Sequence, residues 1–540
     1  MRSIPPRSGG DRALIGALHP ATRSSDRSER AHRAAPALLV AVLVVATILR
    51  LWGLGSQSLW VDEVQSVSFA NDGPVLSEVR ERGGPLEPPL THVLTEAALL
   101  LPVGVETAGR LPAALAGVLE VLALFLLVRE VFRRRAIALT AAAFLAVAPF
   151  AVRYAQEARH YTLFSALHLL SWWLLLRAIR RWRSGDWLLW GVAAGALALT
   201  SPFFAFVLPV QVVVVAAVLW RDQERGRQLR QVGGGLVAAA VVALPWYLYG
   251  ATLWLDERTY DYHLADPFTR RVTVDGSLVR RSADWLLGNS PDATPLVVVL
   301  GLLVVVAPFV ARPPARSWVL GLIGYLAFLT GAVALVARVS GTYFAFRRVE
   351  FFVPLLLALA AVAIVASADR IRIVSAPGAA VAGGAVVAVV LVLSFVASVR
   401  SFDTEKTAWN DAFEAIAAAP SDTIVVVGPF PEPWLDRVER YLAWKDGDQE
   451  VVYLDDEGNL DLPATGFEGA LWLTGAPPSA SGFEVRPLND VDDLEIVAGD
   501  RSWGQVIIPL YLSESSFADD ETLRRQLDHI RSLPPFLPAP

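Results

Sequence analysis

Cysteine is absent from the 540-residue chain, and lysine occurs only as Lys406 and Lys445. Without cysteine there is no disulfide framework, no thiolate metal site and no cysteine nucleophile. Charge is scarce as well. Asp, Glu, Lys and Arg make up 19% of residues, against about 25% in an ordinary soluble domain. Arginine supplies nearly all of the 47 basic residues. With so many Ala and Val, that bias reads as GC-rich coding in a bacterial source. The net charge of −6 matters less than where the charges lie.

What is present is apolar. Hydrophobic residues make up 54% of the chain and the mean hydropathy is +0.45. They fall in blocks of about 15–21 residues, most long enough to cross a hydrocarbon core of about 30 Å as a helix. The pattern implies a polytopic helical membrane protein. Spans are expected at about 37–54, 110–128, 136–152, 162–179, 187–201, 203–220, 232–250, 294–311, 318–337, 351–368 and 378–398, eleven in all.

Residues 1–35 are rich in Arg, Ser and Pro and read as a disordered basic tail. The first apolar block follows with no small-residue cleavage site, so it reads as a retained helix rather than a signal peptide. Five short loops carry the arginines: Arg129 to Arg135, Arg177 to Arg183, Arg221 to Arg230, Arg312 to Arg316 and Arg370 to Arg372. The positive-inside rule makes these cytoplasmic. Pro88–Pro102 is apolar, but too short between its prolines to span, and it contains His92 and Glu96. It is expected to lie in the interface on the outer face, since a span there would invert every later loop. The expected organisation is therefore a cytoplasmic tail (1–35), a transmembrane domain (36–400) with external loops 55–109 and 251–292, and an external domain (401–540). In that last part, strands are expected at Thr423–Val427, Glu450–Leu454, Ala470–Thr474 and Gln505–Pro509, and helices at Thr407–Ala419 and Trp434–Trp444. A small α/β domain follows from that alternation.

Four outer segments carry chemistry. Leu59-Trp60-Val61-Asp62-Glu63 places two carboxylates just beyond the first span. Such an aspartate can take a proton from an acceptor hydroxyl or amine, or simply begin a solvated loop. Glu87-Pro88-Pro89-Leu90 places a carboxylate at a helix start that the prolines pre-form. Arg153-Tyr154-Ala155-Gln156-Glu157-Ala158-Arg159-His160-Tyr161 packs ionisable and aromatic groups between two spans. If helical, Arg153, Glu157 and Tyr161 share a face. They read equally as an internal ion pair or as a functional group, ionisable side chains at membrane depth being costly. Arg347-Arg348-Val349-Glu350 breaks the positive-inside trend. Guanidinium forks suit a phosphate, and they also suit snorkelling at the interface. The long loop 251–292 shows no regular metal-ligand spacing, and His92 and His168 read as structural.

Taken in order, these segments resemble the GT-C superfamily of membrane glycosyltransferases that use polyprenyl-phosphate sugars. The resemblance is to the protein O-mannosyltransferase and aminoarabinose-transferase branch. That family shows Trp then Asp-Glu after the first span, as in Trp60 and Asp62-Glu63. An Arg-Leu-Pro opens a later span, as in Arg110-Leu111-Pro112. Gln-Glu-Ala-Arg-x-Tyr matches Gln156 through Tyr161 at every fixed position, and is the most specific part. Arg347-Arg348 before Pro354, and Lys406 with Trp409, match the remaining motifs. The resemblance covers about residues 36–450.

It implies an inverting hexosyl- or pentosyltransferase, with Asp62 as general base and Glu63 orienting it or binding acceptor. Arg159, Arg347 and Arg348, with Gln156, Glu157 and Tyr161, would hold the donor phosphate. Glu87, Arg110 and His92 would line the site. The family's His or Lys before Pro-Pro is Glu87 here, so the phosphate contacts must shift to arginines. The implied partners are membrane lipid, a polyprenyl-phosphate sugar donor and an acceptor that is a protein, a polysaccharide or a glycolipid. No nucleic-acid partner is implied. Family members vary in metal use, and nothing in the chain demands a divalent ion. The implied location is the bacterial cytoplasmic membrane, with the C-terminal domain outside. A lipid transporter or flippase fits less well, since no inverted repeat or matched pair of broken helices is present. A catalytically inactive scaffold is the other alternative, and Glu87 is its main support.

Overall fold

A computed structural model describes residues 21–83, 87–221, 225–254, 294–340, 350–374 and 378–401, with short pieces at 423–427, 440–441, 444, 451–453, 469–474 and 505–509. The elements in chain order are α1 (Ala21–Leu51), α2 (Val61–Asn71), α3 (Val75–Gly83), α4 (Leu90–Leu99), α5 (Val105–Phe132), α6 (Arg135–Ala146), α7 (Pro149–Ala155), α8 (Tyr161–Arg181), α9 (Ser184–Ala198), α10 (Phe204–Arg221) and α11 (Arg225–Trp254). After a gap come α12 (Thr294–Val310), α13 (Ala315–Ser340), α14 (Val353–Val374) and α15 (Gly378–Ser401), then strands β1 (Thr423–Val427), β2 (Val451–Tyr453), β3 (Gly469–Thr474) and β4 (Gln505–Pro509).

Helices thus occupy each apolar block. Among the described residues, six are by themselves long and apolar enough to cross a membrane: α5, α8, α11, α13, α14 and α15. A bent pair, α6 with α7, raises that to seven. The pair turns through 59° at Val147-Ala148, just ahead of Pro149, whose missing amide cannot continue a helix but suits the first turn of a new one. The stretch expected as one span at 136–152 is therefore two short helices joined at a sharp bend. In α5, α8 and α14, 61–67% of the apolar window is buried in protein, against 17–22% in α11, α13 and α15. The first three form the centre, and the others show apolar side chains such as Val241, Leu335 and Val381 outward, as a lipid-facing layer does. Tight approach is achieved with glycine. A Cβ at Gly191 of α9 would stand 2.0 Å from the carbonyl oxygen of Gly235 of α11.

Two further expectations are corrected. Helix α1 begins at Ala21, inside the stretch read as disordered. Residues 21–35 contain no Pro or Gly and several Ala and Arg, which favour helix. Segment 55–109 carries α2, α3 and α4, the last of them within the Pro88–Pro102 stretch expected as a helix. The ten-residue α4 rises only about 15 Å, too short to span. The chain also leaves the helix at Gln156 and re-enters it at Tyr161. Arg153, Glu157 and Tyr161 therefore share no helix face.

The arginine loops meet at one end of the bundle. Arg134, after α5, pairs with Asp369 near the end of α14. Arg370 donates to the carbonyls of Phe309 (2.9 Å) and Val310 (3.0 Å), closing α12. Gln231 of α11 donates to the carbonyl of Trp182, after α8, at 2.8 Å. The strands form one parallel sheet in the order β2-β1-β3-β4, at the positions the β-branched runs suggest. The helices expected at 407–419 and 434–444 lie outside the described residues apart from Arg440, Tyr441 and Trp444.

Candidate active site at the α1–α2 end of the bundle

Helix α2 starts at Val61 with Trp60 in extended conformation before it (φ −86°, ψ 164°). Asp62 and Glu63 fall in its first turn, where the positive end of the helix favours carboxylates. Their environments differ. Asp62 is half-buried. Glu63 is fully buried, and both of its oxygens are engaged. Oε1 accepts from Arg110 Nε and from the Ala158 amide, each at 2.8 Å. Oε2 accepts from Arg110 Nη2 at 2.8 Å and from the Trp60 amide at 3.2 Å. The Trp60 bond ties the helix start back on itself, as in a capping box.

Arg110, buried on α5, is saturated in turn. Nη1 donates to the carbonyls of Leu54 (3.0 Å) and Gln57 (2.7 Å), and Nη2 to that of Ser58 (2.7 Å). One buried ion pair thus locks the α1–α2 linker, α2, α5 and the α7–α8 turn together. Gln156 works similarly. Its Nε2 donates to the carbonyls of Leu49 (3.0 Å) and Trp52 (2.8 Å), closing the end of α1.

Arg159 reaches α2 from the same turn. Its Nη1 donates to Ser66 Oγ at 2.8 Å and to the Asp62 carbonyl at 3.2 Å, and its guanidinium lies 5.7 Å from the Tyr161 ring centre. Tyr161 opens α8, and Glu157 is buried beside it in the turn. His92 of α4 sets Nδ1 3.1 Å from the Ser66 carbonyl and Nε2 3.0 Å from Glu87 Oε1. Both ring nitrogens thus face oxygen atoms. Burial works against the Glu87 carboxylate. The His92 hydrogen bond and the nearby cationic groups His92, His160 and Arg159 outweigh it and hold the group down to about 2.

Asp62, Glu63, Glu87, His92, Arg110, Gln156, Glu157, Arg159 and Tyr161 are thus linked around α2 and the α7–α8 turn. Arg347 and Arg348 lie outside the described residues. The next described residue, Glu350, is buried and accepts from Thr162 Oγ1 at 3.0 Å. It lines a narrow crevice with His160, Tyr161, Phe164, Ser201, Phe203 and Phe351. Among the described residues, no three His, Asp or Glu side chains gather as a metal site. Ser66, at the end of the Trp60–Ser66 segment, was given no role by the sequence, yet it anchors Arg159; Tyr441, discussed below, stands in no motif and gave no signal.

Residues 86–249 match the family profile described as dolichyl-phosphate-mannose-protein mannosyltransferase. That range takes in Glu87, His92, Arg110 and Gln156–Tyr161. An undecaprenyl phosphate-α-4-amino-4-deoxy-L-arabinose arabinosyl transferase of Pseudomonas aeruginosa is 37% identical over 146 residues. That match covers 26% of this chain and 26% of the relative, so the chain matches about a quarter of such relatives' length. The fold is similar to that of ArnT from Cupriavidus metallidurans in the apo state, with a TM-score of 0.51 at 16% identity, covering 79% of this chain and 87% of the other. The same enzyme bound to undecaprenyl phosphate gives a TM-score of 0.50 at 16% identity, with 77% and 86% covered. Together these matches point to the GT-C superfamily. Its members are polyprenyl-phosphate-sugar glycosyltransferases. The matched family profile begins at residue 86, after Asp62 and Glu63, so the acidic pair joins the site through α2's contacts with Arg110 and Arg159, not through the matched range.

Proposed function

We propose that the chain transfers a sugar from a polyprenyl-phosphate donor to an acceptor at the outer face of a bacterial cytoplasmic membrane, with inversion and with Asp62 as general base. The observation that carries this reading is the anchoring of Arg159 on the first turns of α2, at the Asp62 carbonyl and Ser66 Oγ. It joins a fixed cation to the turn that carries a half-buried carboxylate. In this reading the acceptor oxygen attacks the anomeric carbon while Asp62 takes its proton. The bond from that carbon to the phosphate oxygen breaks through an oxocarbenium-like state. The departing lipid phosphate gains negative charge, which Arg159, with Arg347 and Arg348, offsets. A phosphate leaves readily, so no general acid is required.

Glu63 takes a positioning role here, because four donors already occupy its carboxylate. Gln156 likewise holds α1 rather than the donor. Glu87 supports His92 and borders Arg159 instead of gripping phosphate. The clustering of the arginine loops at one end, read with the positive-inside rule, supports placing Asp62 outside and the N-terminus in the cytoplasm. It also supports eleven crossings, with the sheet-forming C-terminal region outside.

The test starts from mass spectrometry of lipid that co-purifies with the protein, which identifies the donor. Transfer from that donor in isolated membranes is then compared between wild type and Asp62→Asn. Loss of a general base costs about 10²–10⁴ in rate, and the variant should still be folded and still retain the lipid. Wild-type transfer by Asp62→Asn would remove Asp62 as base.

A further inference from the structure

Helix α2 is gripped at both ends by two adjacent residues from beyond the last membrane helix. At its start, the buried Tyr441 hydroxyl accepts the Leu59 amide at 2.9 Å and donates to Glu106 Oε1 of α5 at 3.2 Å. Leu59 directly precedes Trp60, the residue that caps α2. At the other end, Arg440 pairs with Asp72, which closes α2 and also receives Arg82 at 3.3 Å. Burial, with the Glu106 carboxylate beside it, pushes the Tyr441 phenol up, so the hydroxyl keeps its proton for Glu106 at any working pH. The ring also packs edge-on to Trp444, 6.2 Å between centres.

We propose that Arg440 and Tyr441 are positioning residues that set where α2 holds Asp62, so that sugar transfer depends on the C-terminal region being docked. The inference rests on the reading of Asp62 as base. Two separate contacts, one at each end of an eleven-residue helix, fix both its height and its tilt. Asp62 lies three residues from the Tyr441 contact. Arg159 and the α7–α8 turn are themselves tied to α2 at Asp62, Ser66 and Glu63, so displacing α2 shifts the base and the cation's anchor together. Reaction rates are steep in such displacements, on the order of 10²-fold for 1 Å.

The experiment uses the full chain with Tyr441→Phe and Arg440→Gln, each read in two ways. For Tyr441→Phe, kcat per folded molecule should fall about tenfold or more, because the base loses its set position on α2. Hydrogen exchange should quicken at the amides of 59–64 in Tyr441→Phe, and around 70–73 in Arg440→Gln. Unchanged kcat per folded molecule in Tyr441→Phe, or unchanged exchange over 59–64, would overturn the proposal. Asp62→Asn is assayed alongside. If it retains full transfer, the base assignment fails, and the exchange result still decides whether the grip on α2 exists.

Discussion

Replacing Glu63 with glutamine separates a carboxylate that reacts from one that holds the site together. The substitution keeps shape and removes charge. Four donors converge on this carboxylate: Arg110 Nε and Nη2, and the amides of Ala158 and Trp60. A glutamine oxygen can serve two of them, and its NH2 group must then face the other two. Arg110, buried with 2% of its side chain exposed against 0% for Glu63, also loses its counter-charge. Breaking a buried pair from one side costs about 3–5 kcal/mol. At about 2.1 cal/mol/K of unfolding entropy per residue, a chain of this length shifts by roughly 1 °C per kcal/mol, so the thermal midpoint should drop about 3–5 °C. Tryptophan fluorescence of the detergent-solubilised protein measures it, the chain having 17 tryptophans. Activity should fall in parallel, because the Leu54–Ser58 linker and the Ala158 turn both lose their anchor. A midpoint within about 1 °C of wild type, together with lost transfer, would refute the argument and make Glu63 a reacting group.

Glu87→Gln should lower stability near neutral pH and change its acid dependence. The native carboxyl is held at about 2 from an ordinary 4.5, so below 4.5 the unfolded chain binds the proton first and the native advantage shrinks. The stability gap between wild type and Glu87→Gln should close as pH falls from 4.5 toward 2. A gap that widens on acidification would contradict the Glu87–His92 pairing. Gly191→Ala should destabilise by about 1–3 kcal/mol, because its Cβ would sit 2.0 Å from the Gly235 carbonyl oxygen and α9 and α11 would have to separate. An unchanged unfolding midpoint would show that the two helices do not meet there. Gly185, with open space around it, is the control: alanine there should leave the midpoint unaltered.

Much of the scaffold was legible without coordinates. The helices α8 (Tyr161–Arg181) and α14 (Val353–Val374) lie where 162–179 and 351–368 were expected, because apolar length and periodicity are local properties. Strands β1 (Thr423–Val427) and β4 (Gln505–Pro509) likewise follow short β-branched runs. The same local rules expected a helix within Pro88–Pro102, where α4 lies, and none in the rest of 55–109. Helices α2 and α3 are short and only partly apolar, so no periodic signal stood out from the loop residues around them. The rules also placed Gln156–His160 between two spans but left open whether it is helical, since a helical reading of Arg153, Glu157 and Tyr161 was as consistent with spacing.

By itself, then, the sequence determined the class of the molecule: apolar helices, arginines at one set of loops, and an Asp-Glu and a Gln-Glu-Ala-Arg segment in the other. Each of those follows from residues within one turn or one span of each other. Tertiary structure alone decided how each acid is surrounded. Glu63 and Arg110 are 47 positions apart, Glu63 and Ala158 95, and Leu59 and Tyr441 382. Such pairings depend on how helices stack, and that stacking buries Glu63 among four donors while leaving its neighbour Asp62 half-exposed beside Arg159. Two adjacent carboxylates that look alike in the chain are separated into support and candidate base only by what the rest of the fold places around them.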